Sequence, residues 1–257
     1  MTHPATEHRM LTVAYGPEPQ HVGDLYVPAA PTGAVAVLIH GGFWRSYWRR
    51  DLMTPLAVDL TEAGVVVWNI EYRRVGDGGG VPSSLRDVAQ AIDLLDLLGA
   101  RHGFGVGDVT LIGHSAGGHL AAWVGRPGRR QSFAGHPAVV RPTRIIALAP
   151  VLDLVQAESR ALGNHATAEF VSARLDEQRD AFERVSPAHH LPLGVPMTIV
   201  HGTADDRVPH DLSVIYAQAA RAAGDHVTLH SIEAADHFHV IDPHHEAWMT
   251  VRRSFDR

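Results

Sequence analysis

The sequence predicts an α/β fold: a mostly parallel central sheet with helices on both faces. Two observations carry that expectation, and the size of the chain permits it. Short apolar runs alternate with longer amphipathic stretches. Most of those runs are continuously apolar, the pattern of strands covered on both faces rather than on one. A chain of 257 residues that is 45% hydrophobic can bury the core of one large domain.

In chain order, Leu11–Tyr15 and Asp24–Tyr26 are expected to add antiparallel strands at the start. Val35–Ile39, Val65–Ile70, Val109–Ile112, Arg144–Leu148, Met197–Val200 and His226–Ile232 read as the later strands. The clearest helix runs from Ser84 to Leu98, with Leu85, Val88, Ile92 and Leu95 on one face and Asp87, Asp93 and Asp96 over much of the rest. Ala116–Val124, His210–Ala223 and about Ile241–Phe255 are further helices. Strand and helix in alternation give a doubly wound sheet. Residues 152–190 break the rhythm. They are polar, carry two weak helical patterns (Gln156–Leu162 and Ala168–Arg184), and read as a small cap-like insertion in a single domain spanning 1–257. The glycine-rich Gly76–Gly80 reads as a flexible loop rather than a phosphate cradle.

Composition removes whole classes of chemistry. There is no cysteine, so there are no disulfides, thiolate nucleophiles or Cys-ligated metals. There is no lysine either; all 22 basic residues are arginine. That excludes a P-loop lysine, a Schiff-base lysine and a Ser-Lys dyad. A formal net charge of −6 argues against a nucleic-acid partner. The first residues lack a basic start followed by an apolar block, and no stretch has the length of a membrane span. The expectation is a soluble cytoplasmic protein without a membrane partner or cofactor.

The strongest motif is Gly113-His114-Ser115-Ala116-Gly117, a G-x-S-x-G between an apolar strand and an alanine-rich helix. So tight a turn needs small neighbours beside the serine. It lifts Ser115 Oγ clear of the sheet and aims the Ala116 amide, at a helix N-terminus, toward developing negative charge. A serine hydroxyl needs a base. With 19 histidines in the chain, position must select it. Sites in open α/β sheets lie at the carboxyl ends of the strands. Asp205 in HGTADDRVP and His237 in AADHFHV follow two later strands, in the order Ser, Asp, His. Asp205 competes with Asp206, and His237 with His239. The first aspartate of H-G-x-x-D-x-x-V-P is preferred, as is the histidine nearer the strand end. The fourth piece is His40-Gly41-Gly42, just beyond the strand Val35–Ile39. Glycines there let main-chain amides approach a substrate. Gly42 and Phe43 are the expected oxyanion donors, opposite Ala116.

HGGFW, GHSAGGHLA, HGTADDRVP and DHF, in this order over about 200 residues, resemble the α/β-hydrolase fold. Within it they look like the arylformamidase (kynurenine formamidase) group and its esterase relatives. NIEYRR (Asn69–Arg74) and Ser186-Pro187 also resemble those enzymes. The resemblance implies a serine hydrolase with Ser115 as nucleophile, His237 as base and Asp205 as its orienting acid. Its substrate would be a small acyl or formyl compound, N-formyl-L-kynurenine above all, with a short-chain carboxylester as the alternative. Phe43, Trp44 and His114 are expected at the substrate pocket, with Trp48 more an ordinary packing residue. Arg45 is expected at the surface, with a substrate carboxylate as its other possible partner. A homodimer is compatible with the sequence.

Three other classes compete. His237, His239, Asp242, His244 and His245 superficially resemble a metal site, but their spacing is wrong for one. A non-catalytic ligand-binding relative would normally lack a triad member. An acyltransferase would keep the triad and change only the acceptor.

Overall fold

The computed structural model describes residues 8–128 and 138–256. Eight strands form one sheet. They are β1 (His8–Ala14), β2 (Val22–Pro28), β3 (Val35–Ile39), β4 (Val66–Ile70), β5 (Val109–His114), β6 (Arg144–Leu148), β7 (Met197–Gly202) and β8 (Val227–Ile232). Their order is β1-β2-β4-β3-β5-β6-β7-β8. Strand β2 pairs antiparallel with both β1 and β4, and every later pairing is parallel. The six later strands fall within two residues of their expected ends.

The continuous apolar runs now have their reason. Val35, Val37 and Ile39 enter one core with Leu111, while Ala36 and Leu38 enter the opposite core with Ile112. Successive side chains of a strand point to opposite faces, so a strand covered on both sides must be apolar throughout. Helices α2 (Ser83–Asp93), α3 (Leu95–His102) and α4 (Ala116–Gly125) contribute to the first core. Helix α1 (Thr54–Glu62) covers the second through Leu56, Ala57 and Leu60.

Two helices differ from the expectation. The single helix expected over Ser84–Leu98 is two, meeting at Leu94, yet Leu95 and Leu98 still reach the core. Helix α1 has too weak a pattern to stand out in the sequence, although two adjacent parallel strands, β3 and β4, require a crossover between them.

Residues 152–190 form three short helices, α5 (Leu154–Ser159), α6 (Ala166–Val171) and α7 (Arg179–Val185). The second weak pattern therefore splits in two, its first half ending at Ser172 in a left-handed conformation (φ 57°). Asp153 caps α5 by accepting from the amides of Val155 and Gln156, and Ser186 Oγ accepts from Leu154 N at 2.8 Å. These contacts tie both ends of the insertion together. After β7, helix α8 (His210–Ala222) follows the expected span closely. The last expected helix is shorter, α9 (Glu246–Arg252), with 3-10 turns on either side. Gly76–Gly80 lies in a hydrogen-bonded turn, where Gly79 N donates to Arg74 O at 2.8 Å.

Candidate active site

Strand β5 ends at His114 and α4 begins at Ala116, so Ser115 makes the whole turn. Its φ of 54° and ψ of −118° are strained for a residue with a side chain, at a typical cost of about 1–3 kcal/mol. The surroundings enforce it. Gly117 lies so close to β3 that a Cβ there would sit 2.1 Å from the Ile39 carbonyl. Ser115 N is tied across the sheet to Leu148 O at 2.8 Å. Ala116 opens a wholly buried helix, so its amide is among those that lack an intrahelical acceptor.

The side chains expected as acid and base follow β7 and β8. His237 Nδ1 lies 2.7 Å from Asp205 Oδ2. The carboxylate accepts, so Nδ1 carries the proton and Nε2 keeps the lone pair. Asp205 Oδ1 accepts from the main-chain amides of Arg207 and Val208, both at 2.8 Å. Burial by itself would raise the Asp205 pKa, but hydrogen bonds from His201 and His237 and the nearby charge outweigh it and hold this carboxyl well below the usual range. Asp206 is largely exposed and His239 partly so, and both lie outside this arrangement.

Sequence reasoning missed His201. It is fully buried, with Nε2 3.0 Å from Asp205 Oδ2 and 2.9 Å from Val208 O, and Nδ1 2.7 Å from Ser213 Oγ. Two acceptors face Nε2, so that nitrogen carries the proton, and Asp205 is braced by two imidazoles. The signal was the leading histidine of HGTADD.

The loop after β3 carries three consecutive residues with positive φ: Gly42 (113°), Phe43 (53°) and Trp44 (56°). Only the first is free of side-chain strain. The loop is anchored underneath. His40 Nε2 lies 2.8 Å from Glu71 Oε1, and Tyr72 Oη donates to His40 O at 3.0 Å. Arg74 reaches the same Glu71 oxygen at 3.1 Å and also donates to Trp48 O. For Glu71 burial is again the largest influence and raises its pKa, but His40 and Arg74 turn the balance below the ordinary value. NIEYRR thus supplies the footing of the glycine loop.

Ser115, His237, His114, Gly42 and Phe43 border one cavity of about 140 Å³. Trp48, Leu52, Arg207 and Phe238 complete its wall. The Trp48 and Phe238 rings, 45% and 40% exposed, lie 6.0 Å apart. His114 sits behind the base: Nε2 donates to His237 O at 3.0 Å, and burial pushes its pKa down to about 3.

Three expectations need correction, and a fourth, that for Arg45, holds. Trp44 is not at the pocket. It is fully buried, stacks on Phe170 of α6 at 4.7 Å, and donates from Nε1 to His119 Nδ1 at 3.2 Å. The positive φ values of Phe43 and Trp44 throw the two rings to different places. Trp48, expected as packing, borders the cavity instead. Arg45 lies at the surface as expected, where its guanidinium grips Glu169 through two contacts of 2.7 Å and donates to the carbonyls of Gly163 and Asn164. Finally, the insertion contributes none of the cavity's lining among the described residues. It packs behind the glycine loop, not over the serine.

The histidine-rich end is dispersed. His237 serves Asp205, His239 Nδ1 accepts from Asp236 N, and His245 Nδ1 accepts from Ala247 N to cap α9. Among the described residues no three His, Asp or Glu side chains are grouped to hold a metal ion. Among them, too, no helix is long and apolar enough to cross a membrane.

Comparison with known proteins adds three findings. A family profile described as BD-FAE matches residues 24–219. The chain is similar to isoprenylcysteine alpha-carbonyl methylesterase ICME of Arabidopsis thaliana, 24% identical over 227 residues, covering 83% of this chain and 52% of that protein. A shorter match joins it to kynurenine formamidase of Danio rerio, 30% identical over 117 residues, 45% of this chain and 38% of that one. The chain spans about half the length of the curated relatives it matches. Among solved structures, it shares its fold with one titled "Truncated form of carbohydrate esterase from gut microbiota", with a TM-score of 0.83 at 20% identity, covering 98% of this chain and 96% of that one.

Proposed function

The chain belongs to the BD-FAE family, an esterase family of the α/β-hydrolase fold, and from that premise we propose that it is a serine hydrolase of small acyl substrates. One observation carries the reading. Ser115, strained at the strand-to-helix turn, opens on the same cavity as His237, whose Nδ1 is committed to a buried, ionised Asp205.

In this reading Ser115 Oγ attacks the acyl carbon while His237 Nε2 takes the hydroxyl proton. Asp205 orients the ring and stabilises its charged form. The amides of Gly42, Phe43 and Ala116 hold the oxyanion, each donor contributing on the order of 10²–10³ in rate. His237 returns the proton to the departing alcohol or amine as the bond to it breaks. Water, deprotonated by His237, then attacks the acyl-enzyme, and His237 returns that proton to Ser115 Oγ as the acyl–oxygen bond breaks and the acid leaves.

A small ester is the better supported substrate, because the Arabidopsis relative, matched over most of this chain, is named a methylesterase. N-formyl-L-kynurenine is the second reading, favoured by Phe43-Trp44 after the two glycines and by the Danio rerio match. Ser115→Ala tests the class: hydrolysis of 4-nitrophenyl acetate is expected to fall by on the order of 10⁴ or more. Retained turnover would remove Ser115 as the nucleophile. Side-by-side kcat/KM values for that ester and N-formyl-L-kynurenine decide between the substrates, and a large preference for the formamide would reverse their ranking.

A further inference from the structure

Most arginines around the site are locked. Arg45 holds Glu169, Arg50 holds Asp24, Arg73 holds Asp87 and Arg74 holds Asp77, each at 2.7 Å. Arg207 differs. Its ion pair is with its neighbour Asp206, at 3.4 Å, and the two side chains are 58% and 76% exposed. A pair so long and so wet contributes little and exchanges readily with solvent or another anion. Yet Arg207 borders the cavity shared by Ser115 and His237. Among the described residues the lining contains no carboxylate, so Arg207 is its one permanent charge.

The main chain of this residue is held beside the site. Arg207 N donates to Asp205 Oδ1 at 2.8 Å, so the residue is placed by the very carboxylate that orients the base. Trp48 and Phe238 supply apolar walls beside it. A flat ring lying against these aromatic side chains, carrying an anionic group that meets a guanidinium, matches this lining. The molecule as a whole carries a formal charge of −6, which disfavours anions in general, so a local cation at the entrance acts selectively.

We propose that Arg207 is a specificity-determining residue that recognises a carboxylate on an aryl substrate at this cavity. The proposal rests on the serine-hydrolase reading and narrows its substrate class to anionic aryl esters or amides. A guanidinium meets a carboxylate with charge-assisted, directional hydrogen bonds. At an exposed site such a contact changes affinity modestly, by roughly tenfold.

The test pairs 4-acetoxybenzoate with its neutral methyl ester, which differ in the charge and one methyl group, and follows loss of the acetyl group from each. The unsubstituted enzyme is expected to prefer the acid in kcat/KM. Arg207→Gln should lower the acid-to-ester ratio about tenfold, mainly through KM, and Arg207→Lys should lower it less. Raising the ionic strength should shrink the preference in the parent protein and leave the ratio of Arg207→Gln almost unmoved. Binding is measured separately by calorimetry on the Ser115→Ala protein, where no turnover interferes. There the acid should bind more tightly than the methyl ester, and adding Arg207→Gln should abolish the difference. Equal binding of the two compounds to Ser115→Ala, or a difference that survives Arg207→Gln, overturns the proposal. Failure of the parent enzyme to hydrolyse either compound would count against the hydrolase reading instead, and the binding comparison would still decide the role of Arg207.

Discussion

The turn around Ser115 and the insertion of α5–α7 flank the same glycine loop, but they are held by different means. The turn is set by backbone against backbone: strand β5, helix α4 and the end of β3 meet where side chains are absent, and all of α4 is buried. The insertion is attached largely by side chains. Arg45 grips Glu169 and two carbonyls, and Trp44 stacks on Phe170, with one main-chain bond from Val81 N to Phe170 O at 2.9 Å beside them. His119 spans the seam, accepting from Trp44 Nε1 and donating from Nε2 to Val185 O at 2.8 Å. Positioning a nucleophile requires a geometry that cannot relax, whereas the insertion supports a loop through contacts that can be exchanged one at a time.

The largest effect that sharpens this contrast is expected at the turn. Gly117→Ala forces a methyl group against the Ile39 carbonyl, with no flexible side chain to yield. Overpacking of that kind costs upwards of about 3 kcal/mol. Urea denaturation should show a large drop in midpoint or no cooperative transition. A normal midpoint would mean that the turn relaxes as freely as the insertion, and the contrast would collapse.

Acid tests the seam. Burial pushes the His119 pKa down to about 4, against the milder upward pull of its bond to Val185 O. Unfolded histidine titrates near 6.5. Between those values the unfolded chain binds the proton that the folded chain refuses, so stability is full above about pH 6.5 and erodes as the pH falls. One such group loses roughly 2 kcal/mol between pH 7 and pH 5. His114 adds a similar slope at the turn, its pKa being lowered to about 3. His119→Asn keeps an acceptor for Trp44 but cannot titrate. Its stability, read from denaturation midpoints at the two pH values, should depend less on pH than the parent's by about 1–2 kcal/mol. An unchanged slope would show that the seam is not closed around a neutral imidazole.

The smallest effect is expected in the insertion itself. Glu169→Gln removes the charge opposite Arg45, and Glu169 is 45% exposed. Exposed pairs contribute about 0–1 kcal/mol, so global stability should move by no more than that. KM for a small ester should change by a few-fold at most, since the insertion supplies none of the cavity's described lining. A loss of kcat approaching that of Ser115→Ala would break the contrast and make the insertion part of the chemistry.

The same division separates what is legible in the chain from what is not. The six later strands can be read because their apolar runs are the direct imprint of two covered faces. Ser115, Asp205 and His237 can be picked out because each lies just past a strand end, where an open α/β sheet gathers its functional groups. Helix α1 escapes because its pattern is weak and its existence follows from strand order. His201 escapes because a histidine inside a strand resembles any buried polar residue until its partners are known. Trp44 and Trp48 mislead because an irregular loop follows no periodicity, so nearness in sequence says nothing of where their side chains go.

By itself, then, the sequence determined the α/β fold class, the strands that build the sheet, the tight serine turn and the chain positions of Asp205 and His237 beyond two later strands, since each is a local pattern with a local physical cause. Only the tertiary structure decided that Trp44 turns inward while Trp48 and Phe238 border the cavity, that Arg45 belongs to Glu169, that the insertion stands behind the glycine loop, and that the cation at the cavity is Arg207. Those outcomes depend on which side chains distant in sequence compete for the same partner, and that competition exists only once the chain is folded.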